Sequence, residues 1–76
     1  MELGEKIKYY RRKAGKSQNE LAAFLSVNRA TISKYEIGVI EPTIKQVYEI
    51  AVALNTSPLF LLPSWFINPE VDYETP

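Results

Sequence analysis

The chain has 76 residues, a formal net charge of zero, no cysteine and no histidine, which excludes disulfides, thiolate metal sites and imidazole acid–base chemistry. A chain this short makes one domain that buries only about 60% of its unfolded surface, so association often adds to a thin margin. No apolar run approaches the roughly 20 residues of a membrane span, and the N-terminal MELGEKIKYYRRK lacks a signal-peptide core, so a cytoplasmic protein is expected.

Leu3, Ile7, Tyr10 and Ala14 recur at helical spacing and predict a first helix over about residues 2–14. Gly15 is placed to end it in the left-handed conformation. Lys6, Lys8, Arg12 and Lys13 fall mostly off the apolar stripe; a solvated face is the plainer reading, and a functional role for each stays open. Lys16 stands beside the start of the next helix, close to a DNA backbone if that helix docks on one.

Ser17-Gln18-Asn19-Glu20 is a capping box that fixes where helix 2 begins. Its first-turn N–H groups point outward with Gln18 beside them, an arrangement suited to a phosphate; an ordinary cap with no ligand is the plainer alternative. Leu21, Ala22, Leu25, Val27, Ile32 and Tyr35 are the inward positions of helices 2 and 3, and Ala22 is small where the two must approach. Ser26 occupies the turn, where a left-handed residue is needed and serine costs about 1 kcal/mol. Asn28 is a good N-cap for helix 3. Arg29, Ala30, Thr31, Ser33 and Lys34 face outward, and Gly38 ends the helix or its trailing turn. A short helix pair whose second member is polar and partly cationic has the form of a helix-turn-helix reader of duplex DNA.

Val39-Ile40-Glu41-Pro42 reads as a loop, and Thr43-Ile44-Lys45-Gln46 as a second capping box. Ile44, Val47, Tyr48, Ile50, Ala51 and Leu54 form the apolar face of helix 4, about residues 44–54, which Asn55 stops. Ser57-Pro58 opens a short helix 5, Pro58–Leu62, and Pro63 closes it. The expected fold is therefore all-α with five helices. A domain over residues 1–62 is followed by an extension, 63–76. In that extension Trp65, Phe66 and Ile67 either fold back as a lid or bury against a second copy or a partner protein.

The zero net charge conceals a division. Residues 1–35 carry eight Lys and Arg against three Glu, and residues 36–76 carry one Lys against six Asp and Glu, so the halves are +5 and −5. Charges more than a Debye length of roughly 8 Å apart are largely screened. Local field decides phosphate binding, so an acidic far end is compatible with a basic DNA face.

Several runs carry a resemblance. They are Arg11, Ser17-Gln18 with Glu20-Leu21-Ala22, Val27 after the turn, Ile32-Ser33-Lys34-Tyr35-Glu36 with Gly38, Pro42-Thr43, Ile50-Ala51 with Leu54, and the short helix at Leu59–Leu62. Together they resemble the DNA-binding domain of the Cro and phage-repressor family, also called the XRE-type helix-turn-helix family. The likeness covers roughly four-fifths of the chain. It implies a five-helix, lambda-repressor-like domain in which helices 2 and 3 meet DNA. It implies that Arg29, Ala30 and Lys34 face base edges, that Gln18 contacts phosphate with a base edge as its alternative partner, that Asn28 contacts phosphate, and that Thr31 and Ser33 flank them. It also implies that Arg11 and Glu36 form a structural ion pair tying helix 1 to the end of helix 3. Two departures stand out: Ser26 replaces the glycine common at the turn, and Val39-Ile40-Glu41 replaces a loop that is often basic.

The resemblance implies a homodimeric, sequence-specific transcriptional regulator of double-stranded DNA, most often a repressor. A second expectation is an antitoxin-like or adaptor protein whose extension binds a partner. Enzyme chemistry is disfavoured: the carboxylates lie in caps, on a helix surface and in the tail, with no glycine-rich phosphate loop and no metal-spaced cluster. No cofactor is expected. An RNA platform is disfavoured because the aromatics alternate with core positions.

Overall fold

Each helix begins where a side chain can take up an otherwise orphaned backbone N–H. In the computed structural model, which describes residues 2–62, the helices are α1 (Leu3–Lys13), α2 (Gln18–Leu25), α3 (Arg29–Glu36), α4 (Ile44–Ala53) and α5 (Pro58–Leu61). Ser17 Oγ accepts the N–H of Glu20 at 3.0 Å, and Glu20 in return accepts the N–H of Ser17 at 2.8 Å. Thr43 and Gln46 exchange the same pair of bonds at the start of α4. Asn28 and Ser57 cap α3 and α5. At α1, Glu5 accepts the N–H of Glu2.

The first four helices end alike. The chain turns left-handed at Gly15 (φ 71°), Ser26 (φ 58°), Gly38 (φ 80°) and Asn55 (φ 53°). The following N–H then reaches back five residues: Lys16 to Arg11, Val27 to Ala22, Val39 to Lys34 and Thr56 to Ala51, at 2.9–3.0 Å. This is the hydrogen bond that satisfies the last carbonyls of a helix. Ser26 therefore adopts the left-handed conformation that the turn demands, at the cost expected of a residue with a Cβ.

Every described helix contributes to one core. Ile7, Leu21, Ile32, Val47, Ile50 and Leu61 are its fully buried side chains. The α2–α3 pair is the most extensive packing, α1 lies against α3 and α5, and α4 closes on α2 and α5. Ala22 is buried, as its small size at the α2–α3 approach requires. The Tyr35 hydroxyl donates to Gln46 Oε1 at 3.0 Å, so the residue that caps α4 also anchors α3.

Four expectations change. Helix α1 runs 3–13, and Ala14 lies exposed beyond its end. The buried stripe of α1 is Gly4, Ile7 and Arg11, shifted from the one that hydrophobicity alone outlines. Ile44 and Tyr48 are about half exposed, because α4 turns Val47, Ile50, Ala51 and Leu54 inward and its outer line stays in solvent. Lys6 is not simply solvated: its Nζ donates to the Leu62 carbonyl at 3.2 Å, joining α1 to the end of α5. Stacking of Tyr10 on Phe60 reinforces the same contact. The expectations for residues 63–76, including Trp65, Phe66 and Ile67, lie outside the described residues.

Gly4 permits a close approach of α1 to the end of α3. A Cβ there would stand 2.3 Å from the Tyr35 carbonyl oxygen and 2.6 Å from that of Glu36. Both obstacles are backbone, so α1 would have to move away from the end of α3. Alanine normally gains about 0.5–1 kcal/mol over glycine inside a helix. Here the overlap wins, and Gly4→Ala is expected to lose about 1–3 kcal/mol, measured as a lower urea midpoint at unchanged m-value.

Candidate nucleic-acid interface

Helix α3 has one exposed side. Ile32, Tyr35 and Glu36 are its buried residues. Arg29, Ala30 and Lys34 are exposed, with Thr31 and Ser33 half-buried between. Ala30 and Lys34 are four apart and so lie one above the other. Asn28 Oδ1 accepts both the N–H and the hydroxyl of Thr31, at 2.9 and 3.0 Å. With that oxygen occupied, what the exposed Asn28 can offer a ligand is its amide NH2, a donor suited to phosphate.

Behind this face lies a buried ion pair. Arg11 Nε donates to Glu36 Oε2 at 2.6 Å and Nη2 to Oε1 at 3.2 Å, a bidentate pair with side chains 10% and 2% exposed. The remaining arm of the guanidinium, Nη1, donates to the Lys16 carbonyl at 2.9 Å.

The network continues outward to the exposed side of α3. Gln18 Nε2 donates to Glu36 Oε1 at 3.0 Å, and Gln18 Oε1 accepts from Arg29 Nη1 at 3.2 Å. The carboxylate dictates which way the amide faces. Its NH2 must point at Glu36, so its oxygen points at Arg29. Arg11, Lys16, Gln18, Glu36 and Arg29 are thus joined in one chain of contacts from the α1–α2 turn to the first residue of α3. Lys34, Ala30 and Ser33 stand apart from it. Sequence reasoning did not find the Gln18 bridge, because its two bonds span 18 and 11 residues and leave no local periodicity.

The loop after α3 differs in character. Ile37, Val39 and Ile40 are exposed, and Glu41 is exposed beside them. Among the described residues no helix is long and apolar enough to cross a membrane.

A helix-turn-helix family model matches residues 7–61, which takes in every element of this face. The chain belongs to the Cro and phage-repressor (XRE-type) helix-turn-helix family. Among relatives in that family, it is 41% identical over 60 residues to YonR, an SPbeta prophage-derived uncharacterized HTH-type transcriptional regulator of Bacillus subtilis, covering 79% of this chain and 56% of the relative. It is 33% identical over 60 residues to the HTH-type transcriptional regulator DicA of Escherichia coli, covering 79% of this chain and 44% of DicA. The chain thus spans about half the length of these curated relatives. Its fold is similar to the crystal structure of the restriction-modification controller protein C.AhdI from Aeromonas hydrophila. The TM-score is 0.74 at 25% identity, over 79% of this chain and 91% of that one.

Removing one partner of a buried pair strands the other, whereas replacing both with apolar groups need not. Glu36→Leu is expected to cost about 3–5 kcal/mol, and the double variant Arg11→Met with Glu36→Leu distinctly less, both read by urea denaturation. A second expectation concerns Glu20, whose carboxyl is held below its ordinary value, first by the Ser17 N–H that it accepts and then by the Ser17 hydroxyl. A depressed carboxyl stabilises the fold above its unfolded pKa, and that contribution disappears as pH falls through the lowered folded value. Carbon-detected titration should find Glu20 with a midpoint below the ordinary glutamate value, and Ser17→Ala should raise it.

Proposed function

We propose that this chain is a sequence-specific reader of double-stranded DNA that regulates transcription, acting as a homodimeric repressor on a palindromic operator. The observation that carries the reading is the exposed side of α3, where Arg29, Ala30 and Lys34 stand together with Arg29 braced by Gln18. Their chemistry matches base edges in the major groove. Arginine makes a bidentate contact to guanine O6 and N7, lysine a single-point version, and alanine packs on a thymine methyl. Around them, Lys16, Gln18 and Asn28 take backbone phosphates, with Thr31 and Ser33 as flanking contacts. Phosphate contacts of this kind set register, and base contacts set sequence.

One reading helix spans only a few base pairs. Two copies placed with their recognition helices about 34 Å apart would read both halves of a palindrome and gain the affinity that one lacks. The named functions of YonR and DicA as transcriptional regulators support the same reading.

Selection from a random duplex pool, with the bound fraction sequenced, tests it. A palindrome with half-sites one helical turn apart is expected, with at least one G facing Arg29 or Lys34 and a T facing Ala30. Arg29→Ala should cost about 1–3 kcal/mol per half-site and relax the preference at that base pair alone. If Arg29→Ala returns the same site as the parent chain, Arg29 does not read a base.

A further inference from the structure

The outward flank of α1 carries Lys8, Tyr9, Arg12 and Lys13, all exposed. With Glu5 and the edge of Glu36 they line one shallow concavity. Among the described residues the only ion pair is that of Arg11 with Glu36, so Lys8, Arg12 and Lys13 have no carboxylate partner there. Lys13 is engaged otherwise, its Nζ 6.0 Å from the ring centres of both Tyr9 and Tyr10. Lys8 and Arg12 are one helical turn apart on the same face.

The position of this flank gives it meaning. Glu36 borders the concavity on one side and, through Gln18, touches Arg29 on the other. The cationic flank therefore adjoins the buried carboxylate from which, through Gln18, Arg29 is braced. We infer that Lys8 and Arg12 form an additional phosphate-binding edge, which carries the DNA strand passing the start of α2 onward over α1. The inference rests on the DNA-reading proposal and extends it.

A helix in a major groove about 12 Å wide lies between two phosphate backbones. On one side, past the start of α2, stand Lys16 and Gln18. On the other, past the end of α3, stand Ile37, Val39, Ile40 and Glu41. Three apolar groups and a carboxylate offer phosphates nothing and repel them. Electrostatic affinity then falls to the first strand, and Lys8 and Arg12 are cations without a carboxylate partner among the described residues on that side. Phosphate contacts carry no sequence preference, so this edge raises affinity without altering the site selected.

The test is a salt series with the full chain, on the random duplex pool and on the selected site. Each neutralised phosphate contributes about 0.9 to the slope of log K against log salt, or roughly 3.5-fold in affinity over a fourfold rise in salt. The Lys8→Gln, Arg12→Gln double variant is expected to lower that slope by about 0.9 for each phosphate it no longer neutralises and to select the parent sequence. Lys45→Gln, an exposed cation on α4, should leave the slope unchanged and so controls for net charge. Urea midpoints establish that each variant is folded, and the two single variants repeat the comparison if the double variant is weakened. A slope in Lys8→Gln, Arg12→Gln equal to that of Lys45→Gln overturns the additional edge while leaving base reading intact. Absence of any DNA binding by the parent chain overturns both.

Discussion

Arg11 and Glu36 meet in a place where water is nearly excluded, and the exposed side of α3 is hung on that contact. As an energy source the pair is weak, because desolvating two charges offsets most of their attraction. Its effect is positional. A planar guanidinium with donors in a fixed fork takes both oxygens of Glu36 and still reaches the carbonyl of Lys16. One group therefore fixes the end of α3, the α1–α2 turn and, through Gln18, the first turn of α2. An apolar pair of equal volume would fill the space but hold none of these angles.

The pair exists because α1 lets α3 come close enough. Gly4, Ile7 and Arg11 follow one another along the buried stripe of α1, and each does something different. Gly4 removes the Cβ that would strike the carbonyls of Tyr35 and Glu36. Ile7 fills the core. Arg11 pairs with the carboxylate that the close approach delivers. At the other side of α3, Ala22 makes the corresponding concession in α2. Helix α3 is thus seated by two small residues and one ion pair, leaving a single side free. With total stability of only about 5–15 kcal/mol expected for a domain, a shift at any of these seats moves the whole exposed side of α3.

Most of the architecture was legible because it is encoded locally. Caps at Ser17, Asn28, Thr43 and Ser57, and left-handed residues at 15, 26, 38 and 55, are statements that a few neighbouring residues make alone. What was not legible depends on which faces meet. Ile44 and Tyr48 extend the apolar periodicity of α4, yet a core this small covers only a narrow stripe, so they stay half exposed. Lys6 reads as a solvated cation, and only the fold brings it to Leu62, 56 residues away. Arg11 reads as polar on a helical wheel; its pairing with Glu36 came from the family resemblance, since charge at a buried stripe position has no periodic signature. Arg29, Ala30 and Lys34 were singled out by residue type and by that resemblance. The brace on Arg29 is visible only in three dimensions.

The brace also bears on how Arg29 can be both held and available. Among the described residues Glu36 is the carboxylate of the network behind α3, and unpaired it would compete with a guanine or a phosphate for the guanidinium of Arg29. Arg11 satisfies that charge from the protein side, and Gln18 interposes an amide. What Arg29 meets is therefore a neutral oxygen at 3.2 Å. Hydrogen bonds to ionised acceptors are roughly twice as strong as those to neutral ones. In the proposed reading, the amide orients Arg29 while leaving it easier to release to a base edge than a direct contact with Glu36 would. Burying one charge pair in this way separates the two requirements of the proposed reading face: a rigid support, built from strong contacts, and an exposed arginine held only by a weak one.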